Sequence, residues 1–247
     1  MAVVSNNCVV TARAPNEVWH IDLTAVPVTS GFWASWSPFA LPQSWPYCWW
    51  VIVAVDHFSR RLMMLQVFAT KPTSETVCTV LTTIFRGTRC QPKYVICDQD
   101  PLFKGKSFKS WSERFAIAIR YGAIGKHGSI AVVERAIRTI KNECTRRILV
   151  SLRRTCFLRE LMLFQDWYNE HRPHMALAGR TPNEVFFGRH AAIKRPWLEP
   201  RRHCHVKSRC TGRQTPVRGQ PGDRFRLEVD YHEGRPYLPV VSLRRVA

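Results

Sequence analysis

Three acidic side chains lie at positions where a folded chain ordinarily places apolar ones. Asp22 interrupts the alternating segment "WHIDLT", Asp98 follows the apolar run "YVIC", and Glu134 lies beside the apolar stripe of "AVVERAIRTIKNE". The ends of neighbouring strands and a helix that crosses them can bring three such side chains together. Clustered carboxylates repel one another and resist ionisation unless a cation holds them. These three acids are therefore candidates for one site.

The chemistry of such a site follows from its ligand atoms. Oxygen-only ligands favour a hard cation, Mg²⁺ or Mn²⁺, over zinc. Two such ions, about 4 Å apart, can activate an attacking oxygen and stabilise a leaving one in phosphoryl transfer. Taken singly, a strand-end Asp is typical of a turn and a helical Glu beside Arg is typical of a solvated face. The spacing is more specific, since 35 residues separate Asp98 from Glu134.

Hydrophobic periodicity predicts the elements that must position these acids. Strands are expected over 17–24, 49–56, 60–70, 93–97 and 117–122, and the second and third of them should form a hairpin. Helices are expected over 73–87, 106–116, 129–150 and 154–171, followed by a capping box at residues 181–184. This order predicts an α/β fold in which helices flank a mixed sheet.

The charge of the chain limits its partners. Lys and Arg number 37 against 18 Asp and Glu, a formal net charge of +19, while the hydrophobic content of 45% is ordinary for a globular protein. Such a chain attracts polyanions, and nucleic acid is expected rather than an anionic membrane. The most apolar region, 31–55, is interrupted by three prolines, which argues against a membrane span. Nine cysteines at scattered spacings indicate buried thiols in a reducing compartment, so we expect a cytoplasmic, nucleoid-associated protein.

Five stretches together resemble the retroviral-type integrases and insertion-sequence transposases, the DDE family of polynucleotidyl transferases. They are, in the family's order, "WHIDLT", "VDHFSRR", "DQDPLF", "VVERAIRTIKNE" and "YNEHRPHMALAGRTPNEVFFG". The resemblance implies an RNase H-like catalytic core with a mixed five-stranded sheet. It also implies that Asp22, Asp98 and Glu134 form an Asp-Asp-35-Glu triad that binds two Mg²⁺ or Mn²⁺ ions.

The same resemblance implies a reaction and partners. Water first attacks a phosphodiester and frees a 3′-hydroxyl at the end of a mobile element, and that hydroxyl then attacks target DNA. Asp22 would bridge both ions, Asp98 would hold one and Glu134 the other. The expected partners are element ends, target duplex and further copies of the chain in a homo-oligomer on DNA.

Basic residues after Glu134 are expected to contact DNA. Arg138 and Lys141 lie four and seven residues further along the helix and so share its face. The resemblance places them near the reacting phosphate, whereas the simpler alternative is an ion pair between Glu134 and Arg138. Arg135 is expected to attract phosphates more generally.

A second acid, Asp100, competes with Asp98 for the role of metal ligand. Many relatives carry glycine at the position of Asp100, and counting back from Glu134 gives the family spacing for Asp98. We therefore expect Asp100 to cap a turn beside the site.

The domain organisation predicted from the sequence has four parts. These are an N-terminal arm (1–16), an RNase H-like integrase core (17–150), its helical tail (151–195), and a basic linker with a β-hairpin (196–247). The aromatic, proline-rich insertion 25–48 stands where relatives have a short turn. We expect it to form a flap over the sheet edge. The alternatives are stacking on unpaired bases and docking of a second subunit.

Other segments carry weaker signals. Arg172, Pro173 and His174 are expected to serve packing. Residues 203–210 hold two His and two Cys at a spacing that matches no common zinc finger. The first eighteen residues are too few for an end-binding domain, so we expect a separate helix-turn-helix protein to recognise element ends, or a longer parent chain.

Two other functions remain open from the sequence. One is a decayed or host-adopted DNA-binding protein that keeps the fold without the chemistry. The other, which the "YNEHRPH" tail disfavours, is an RNase H-type nuclease.

Overall fold

Five strands form one mixed sheet in the first of two units, Met1–Gly188. The computed structural model describes residues 11–28, 44–88, 90–122, 130–189 and 224–246. In spatial order β3-β2-β1-β4-β5, the strands are β1 (Val18–Pro27), β2 (Cys48–Asp56), β3 (Leu62–Phe68), β4 (Tyr94–Cys97) and β5 (Ala118–Tyr121). The strands β1, β2 and β3 are antiparallel, and β4 and β5 run parallel to β1. The predicted hairpin and mixed sheet are confirmed.

Helices cover both faces of this sheet. They are α1 (Ser74–Thr88), α2 (Pro101–Lys104), α3 (Lys106–Arg114), α4 (Ala131–Ile140), α5 (Arg154–Glu170) and α6 (Pro182–Phe186). The helix α2 was not predicted, because four residues are too short for a periodic signal. The capping box is confirmed: the Thr181 hydroxyl accepts from Glu184 N, and the Glu184 carboxylate accepts from Thr181 N.

Alternation along β1 divides its side chains between two faces of the sheet. Trp19 and Ile21 belong to an apolar cluster built with α1, α2 and α3. His20, Asp22 and Thr24 project to the opposite face, since successive side chains of a strand alternate. There α4 packs on β1 and β2, and α5 packs on β3. The face that carries Asp22 is therefore the one that α4 covers.

The predicted long helix, 129–150, was wrong beyond Thr145, and its residues 141–145 are π-helical instead of α-helical. The helix α4 ends at Ile140 and continues as a π-helical turn, Lys141–Thr145, which Arg146 N closes by donating to Lys141 O at 3.0 Å. Four residues of the predicted stripe are buried, Val133, Ile137, Ile140 and Cys144, whereas Ile148 beyond the turn is only half-buried. The wider π turn changes the phase of the helix, which a regular 3.6-residue pattern cannot anticipate.

The predicted insertion 25–48 begins and ends as regular sheet. Residues up to Pro27 belong to β1, and Pro27 pairs with Cys48 of β2. Residues 29–43 lie outside the described part of the chain. Within the described part, the indole of Trp45 donates to Leu152 O at 3.4 Å while half of its surface stays exposed. The flap remains a prediction.

The second unit, Arg189–Ala247, contains an antiparallel hairpin. Its strands are β6 (Arg224–Tyr231) and β7 (Pro239–Val246), joined through a 3₁₀ turn at His232–Gly234. This confirms the predicted C-terminal β extension, while the His/Cys segment 203–210 lies outside the described residues.

Four of the six described cysteines fit the prediction of buried thiols, whereas Cys90 is half-buried and Cys156 is exposed. Cys48, Cys78, Cys97 and Cys144 are buried, and all four are free thiols. Within the described ranges, no helix is both long enough and apolar enough to cross a membrane.

Candidate active site

The first two acids of the predicted triad directly follow the last paired residues of the parallel strands β1 and β4. Ile21 of β1 pairs with Cys97 of β4, so Asp22 and Asp98 occupy the next matched positions. Neighbouring strands lie about 5 Å apart, and side chains at matched positions project from the same face. Both acids are half-buried. The sheet thus brings residues 76 positions apart in sequence next to each other.

Glu134 approaches this pair from α4, the helix over the same face. Burial is the main cause that raises the pKa of Asp22 to about 6, and the negative charges of Asp98 and Glu134 raise it further. Asp98 and Glu134 therefore each lie close enough to Asp22 to repel its negative charge. Glu134 itself is exposed, so it can move toward a ligand without breaking a buried contact.

Local hydrogen bonds hold the two aspartates. Asp22 Oδ1 accepts from Leu23 N at 2.7 Å, and Asp98 Oδ1 accepts from Asp100 N at 3.1 Å. Among the described residues, the other oxygen of each aspartate has no hydrogen-bond partner and can bind a cation.

Asp100 is committed elsewhere. Its Oδ1 caps α2 by accepting from Leu102 N at 2.9 Å, and its Oδ2 pairs with Lys71 Nζ at 2.6 Å. The structure thus gives Asp100 the capping role predicted for it.

The basic residues of the long helix divide into two groups. Lys141 is half-buried, and its positive charge lowers the pKa of Asp22, so it lies near the carboxylate pair. Burial lowers the pKa of Lys141 itself. Arg135 and Arg138 are exposed on α4. Among the described residues, no ion pair joins Glu134 to Arg138, which leaves both side chains open to other partners.

The three carboxylates are more favourable with a divalent cation bound between them than without one. Hard carboxylate oxygens are the ligands that Mg²⁺ and Mn²⁺ prefer, and a cation would relieve the repulsion that raises the pKa of Asp22. Over the described ranges, however, no three His, Cys, Asp or Glu side chains already surround one point as a ligand set. The register of β1 with β4 and the effect of the neighbouring acids on Asp22 are compatible with a bound metal ion. For Glu134 to become the third ligand, its exposed side chain must move.

A buried histidine pair beside the site was missed from the sequence. His20 lies two residues before Asp22 on the same face and is fully buried, with its Nε2 2.7 Å from His57 Nδ1. Burial, followed by the charge of His57, lowers the pKa of His20 to about 3, so His20 is neutral. The alternation in "WHIDLT" was the available signal, because it placed His20 and Asp22 on one face. The pair fixes the β2–β3 turn against β1 next to Asp22.

Comparison with known proteins agrees with this architecture. A family model described as integrase core domain matches residues 12–127, and a second model of the same description matches residues 116–182. No curated protein matches the sequence.

Two solved structures share the fold at low sequence identity. The HTLV-2 integrase catalytic core domain in complex with magnesium, in its trimeric form, is 19% identical, with 71% of this chain and 99% of that chain covered and a TM-score of 0.52. The simian T-cell lymphotropic virus intasome, in complex with the PP2A regulatory subunit B56 gamma, gives 14% identity, coverage of 96% and 71%, and a TM-score of 0.54. These likenesses support an RNase H-like integrase core fold. Because the two family models together span residues 12–182, well over half of the sequence, this chain belongs to the integrase core domain family.

Proposed function

We propose that the protein is a transposase or integrase that cuts a DNA strand and joins the resulting 3′-hydroxyl to target DNA, with Asp22, Asp98 and Glu134 as its catalytic residues. One observation carries the proposal: Asp22 and Asp98 directly follow the last paired residues of the neighbouring parallel strands β1 and β4, under the helix that carries Glu134. The raised pKa of Asp22 supports their convergence, because the charges of the other two acids contribute to it.

The three carboxylates would hold two Mg²⁺ or Mn²⁺ ions. When bound, such ions stabilise the negative charge that develops on the attacking and leaving oxygens of an in-line displacement. Asp22 would ionise fully on binding them, since the positive charge offsets the repulsion from its neighbours. Lys141, beside Asp22, would attract the phosphate next to the reacting bond, and Arg138 and Arg135 would bind phosphates along the strand.

DNA is the proposed partner, and the net charge of +19 supports it. The solved relatives support a divalent ion and an assembly, because one is a trimeric core with magnesium and the other is an intasome. We place this chain in a homo-oligomer on element ends and target duplex, in the cytoplasm with the nucleoid. A separate helix-turn-helix protein for recognising element ends is part of the same proposal.

The test uses a plasmid for cleavage and a duplex with a free 3′-hydroxyl for strand transfer, each with Mn²⁺. We expect the wild type to nick and join, and Asp22→Asn and Glu134→Gln each to remove both activities while the protein stays folded. The matched control is Glu113→Gln, which removes an exposed carboxylate from α3 on the opposite face of the sheet and should leave both activities intact.

A DNA-binding protein that keeps the fold without the chemistry is the second candidate. The finding that favours it is that, within the described ranges, the acids do not already form a three-ligand set. A wild type that binds DNA tightly but is inert with Mn²⁺ would replace our proposal with this one. Hydrolysis of an RNA–DNA hybrid without joining of 3′-ends would instead indicate an RNase H-type nuclease.

A further inference from the structure

Two sequence motifs without an assigned role meet at one pocket of the first unit. The turn of "VDHFSRR" contributes Arg60, the "HRPH" segment contributes Arg172 and His174, and α4 contributes Arg135. The pocket has a volume of about 410 Å³. We propose that it is a binding site for a phosphate group, separate from the carboxylate site, held by Arg60 and Arg135 and lined by Arg172.

Three arginines line the pocket, and within the described residues Arg60 and Arg135 form no ion pair. Arg172 is neutralised by a bidentate pair with Glu143, in which Nε and Nη2 each lie 2.6 Å from a carboxylate oxygen. Burial lowers the pKa of Arg60; the neighbouring Tyr168 and Asp56 raise it, and the charge of Arg135 lowers it. Two guanidinium groups are therefore held close enough to repel each other. An anion between them would remove that repulsion.

The acid whose charge acts on Arg60, Asp56, is already engaged in hydrogen bonds. Asp56 Oδ2 accepts from the Ser59 hydroxyl at 2.6 Å and from Ser59 N at 2.8 Å, and its Oδ1 accepts from Asn16 N at 2.9 Å. Burial also raises the pKa of Asp56, so its negative charge is unfavourable where it lies. Asp56 organises the turn and leaves the guanidinium of Arg60 to other partners.

The guanidinium of Arg60 offers a donor that is buried and unused. Among the described residues, Arg60 Nη1 is buried and has no hydrogen-bond partner. A buried donor without an acceptor costs about 1–3 kcal/mol, which an incoming oxygen recovers. The backbone of Arg60 has φ of 63°, a left-handed conformation that few residues other than glycine adopt, and Arg60 N donates to Asp56 O at 3.0 Å. This turn restricts the backbone of Arg60 more than a flexible loop would, and so limits the positions that the guanidinium can take.

The remaining lining groups suit the same ligand. Burial and the charges of Arg172 and Arg60 lower the pKa of His174 to about 3, so this ring is neutral. Its Nε2 lies 3.4 Å from Arg172 Nη1 and its ring packs edge-on against Tyr168. The planar forks of arginine match phosphate oxygens two at a time, which a lysine cluster would not do.

The phosphate has two chemical sources. Arg135 directly follows Glu134 on α4, so a DNA backbone that passes the proposed catalytic residue could place a second phosphate in the pocket. A free oligophosphate presents the same oxygens. The DNA source rests on the proposed function, whereas phosphate binding itself does not.

The experiment measures binding without divalent ions, in EDTA. Inorganic pyrophosphate is titrated by calorimetry into the wild type, Arg60→Gln and Arg135→Gln, and each protein is then titrated with a generic duplex at several salt concentrations. The control is Arg159→Gln, which removes one exposed arginine of α5 outside the pocket. Arg135 is exposed on a helix, so Arg135→Gln should fold even if Arg60→Gln does not.

We expect both pocket variants to weaken pyrophosphate binding by roughly tenfold or more, and the control to leave it unchanged. If DNA is the source, each pocket variant also lowers the slope of log affinity against log salt by about 1. If the slope matches the control, the site takes a free oligophosphate. Pyrophosphate affinity equal in the wild type, both pocket variants and the control would overturn the proposal. Asp22→Asn should bind pyrophosphate normally, so failure of the proposed chemistry would leave this result intact.

Discussion

At the scale of single residues, folding favours the protonated form of Asp22, whereas the proposed catalysis requires the ionised form. Burial and the charges of Asp98 and Glu134 raise its pKa from the ordinary 3.8 to about 6. The folded protein therefore holds the proton on Asp22 more tightly than the unfolded chain does. The free energy of unfolding should fall as the pH rises from about 4 to about 6 and remain lower above that range.

This predicts that Asp22→Asn stabilises the metal-free protein at neutral pH. Asparagine cannot ionise but can still accept the hydrogen bond from Leu23 N. The gain in free energy of unfolding should reach up to about 3 kcal/mol at pH 7.5 and disappear near pH 4. Urea denaturation in EDTA at both pH values measures it, with Glu113→Gln as the charge-matched control. An equal gain at both pH values would contradict the electrostatic cause.

A second residue-scale prediction separates Asp98 from Asp100. Asp98→Asn should remove cleavage, because it takes away a charged ligand. Asp100→Asn should keep it, because asparagine also caps a helix well. The loss of the ion pair with Lys71, which is 46% exposed, should cost no more than about 1 kcal/mol. If Asp100→Asn abolished cleavage while remaining folded, Asp100 would have to be counted among the metal ligands.

At the scale of elements, hydrophobic periodicity was a good guide to the strands and less good at helix ends. The helix α5 follows its pattern closely because burial of one face imposes a strict period. The strand β4 matches its prediction because it is a short apolar run with successive residues buried. The end of α4 could not be predicted, because the π turn at Lys141–Thr145 departs from the regular 3.6-residue period. The spacing and the family resemblance pointed to Asp22, Asp98 and Glu134. By contrast, the Arg60 pocket depends on contacts between distant segments that no local pattern encodes.

The contact between α5 and β3 supplies an element-scale prediction. Asn169 is 3% exposed, and its side chain accepts from Leu62 N at 2.9 Å and donates to Leu62 O at 3.0 Å. Asn169→Ala leaves the Leu62 amide buried without an acceptor, so the free energy of unfolding should fall by about 2–3 kcal/mol.

The matched comparison is Gln165→Ala, one turn earlier on α5. Gln165 Nε2 also donates to Leu62 O, at 2.9 Å, but the same oxygen keeps its bond from Asn169. The loss should therefore be about 1 kcal/mol or less. Urea denaturation of the two variants tests the difference, and equal losses would show that the Leu62 amide is not the group that matters.

At the scale of the whole molecule, positive charge is distributed unevenly between the two units. Residues 189–247 contain 14 Lys and Arg against 5 Asp and Glu, nearly half of the net charge of +19 in a quarter of the chain. The second unit should therefore contribute about as much as the core to sequence-independent attraction for DNA. The carboxylates proposed for catalysis all lie in the first unit.

Removing Arg189–Ala247 should consequently weaken DNA binding but leave DNA nicking intact. Each phosphate contact that is lost reduces the salt dependence of DNA binding by about 0.9 in the slope of log affinity against log salt. We expect the slope for the shortened chain to fall by several such steps, and Mn²⁺-dependent nicking to persist at low salt, where the core alone still attracts DNA. Fluorescence anisotropy across a salt series and a plasmid nicking assay measure the two effects.

Urea denaturation of the shortened chain verifies that the core stays folded. An unchanged slope would mean that the core supplies the phosphate contacts, whereas loss of nicking from a folded core would mean that the second unit takes part in the chemistry.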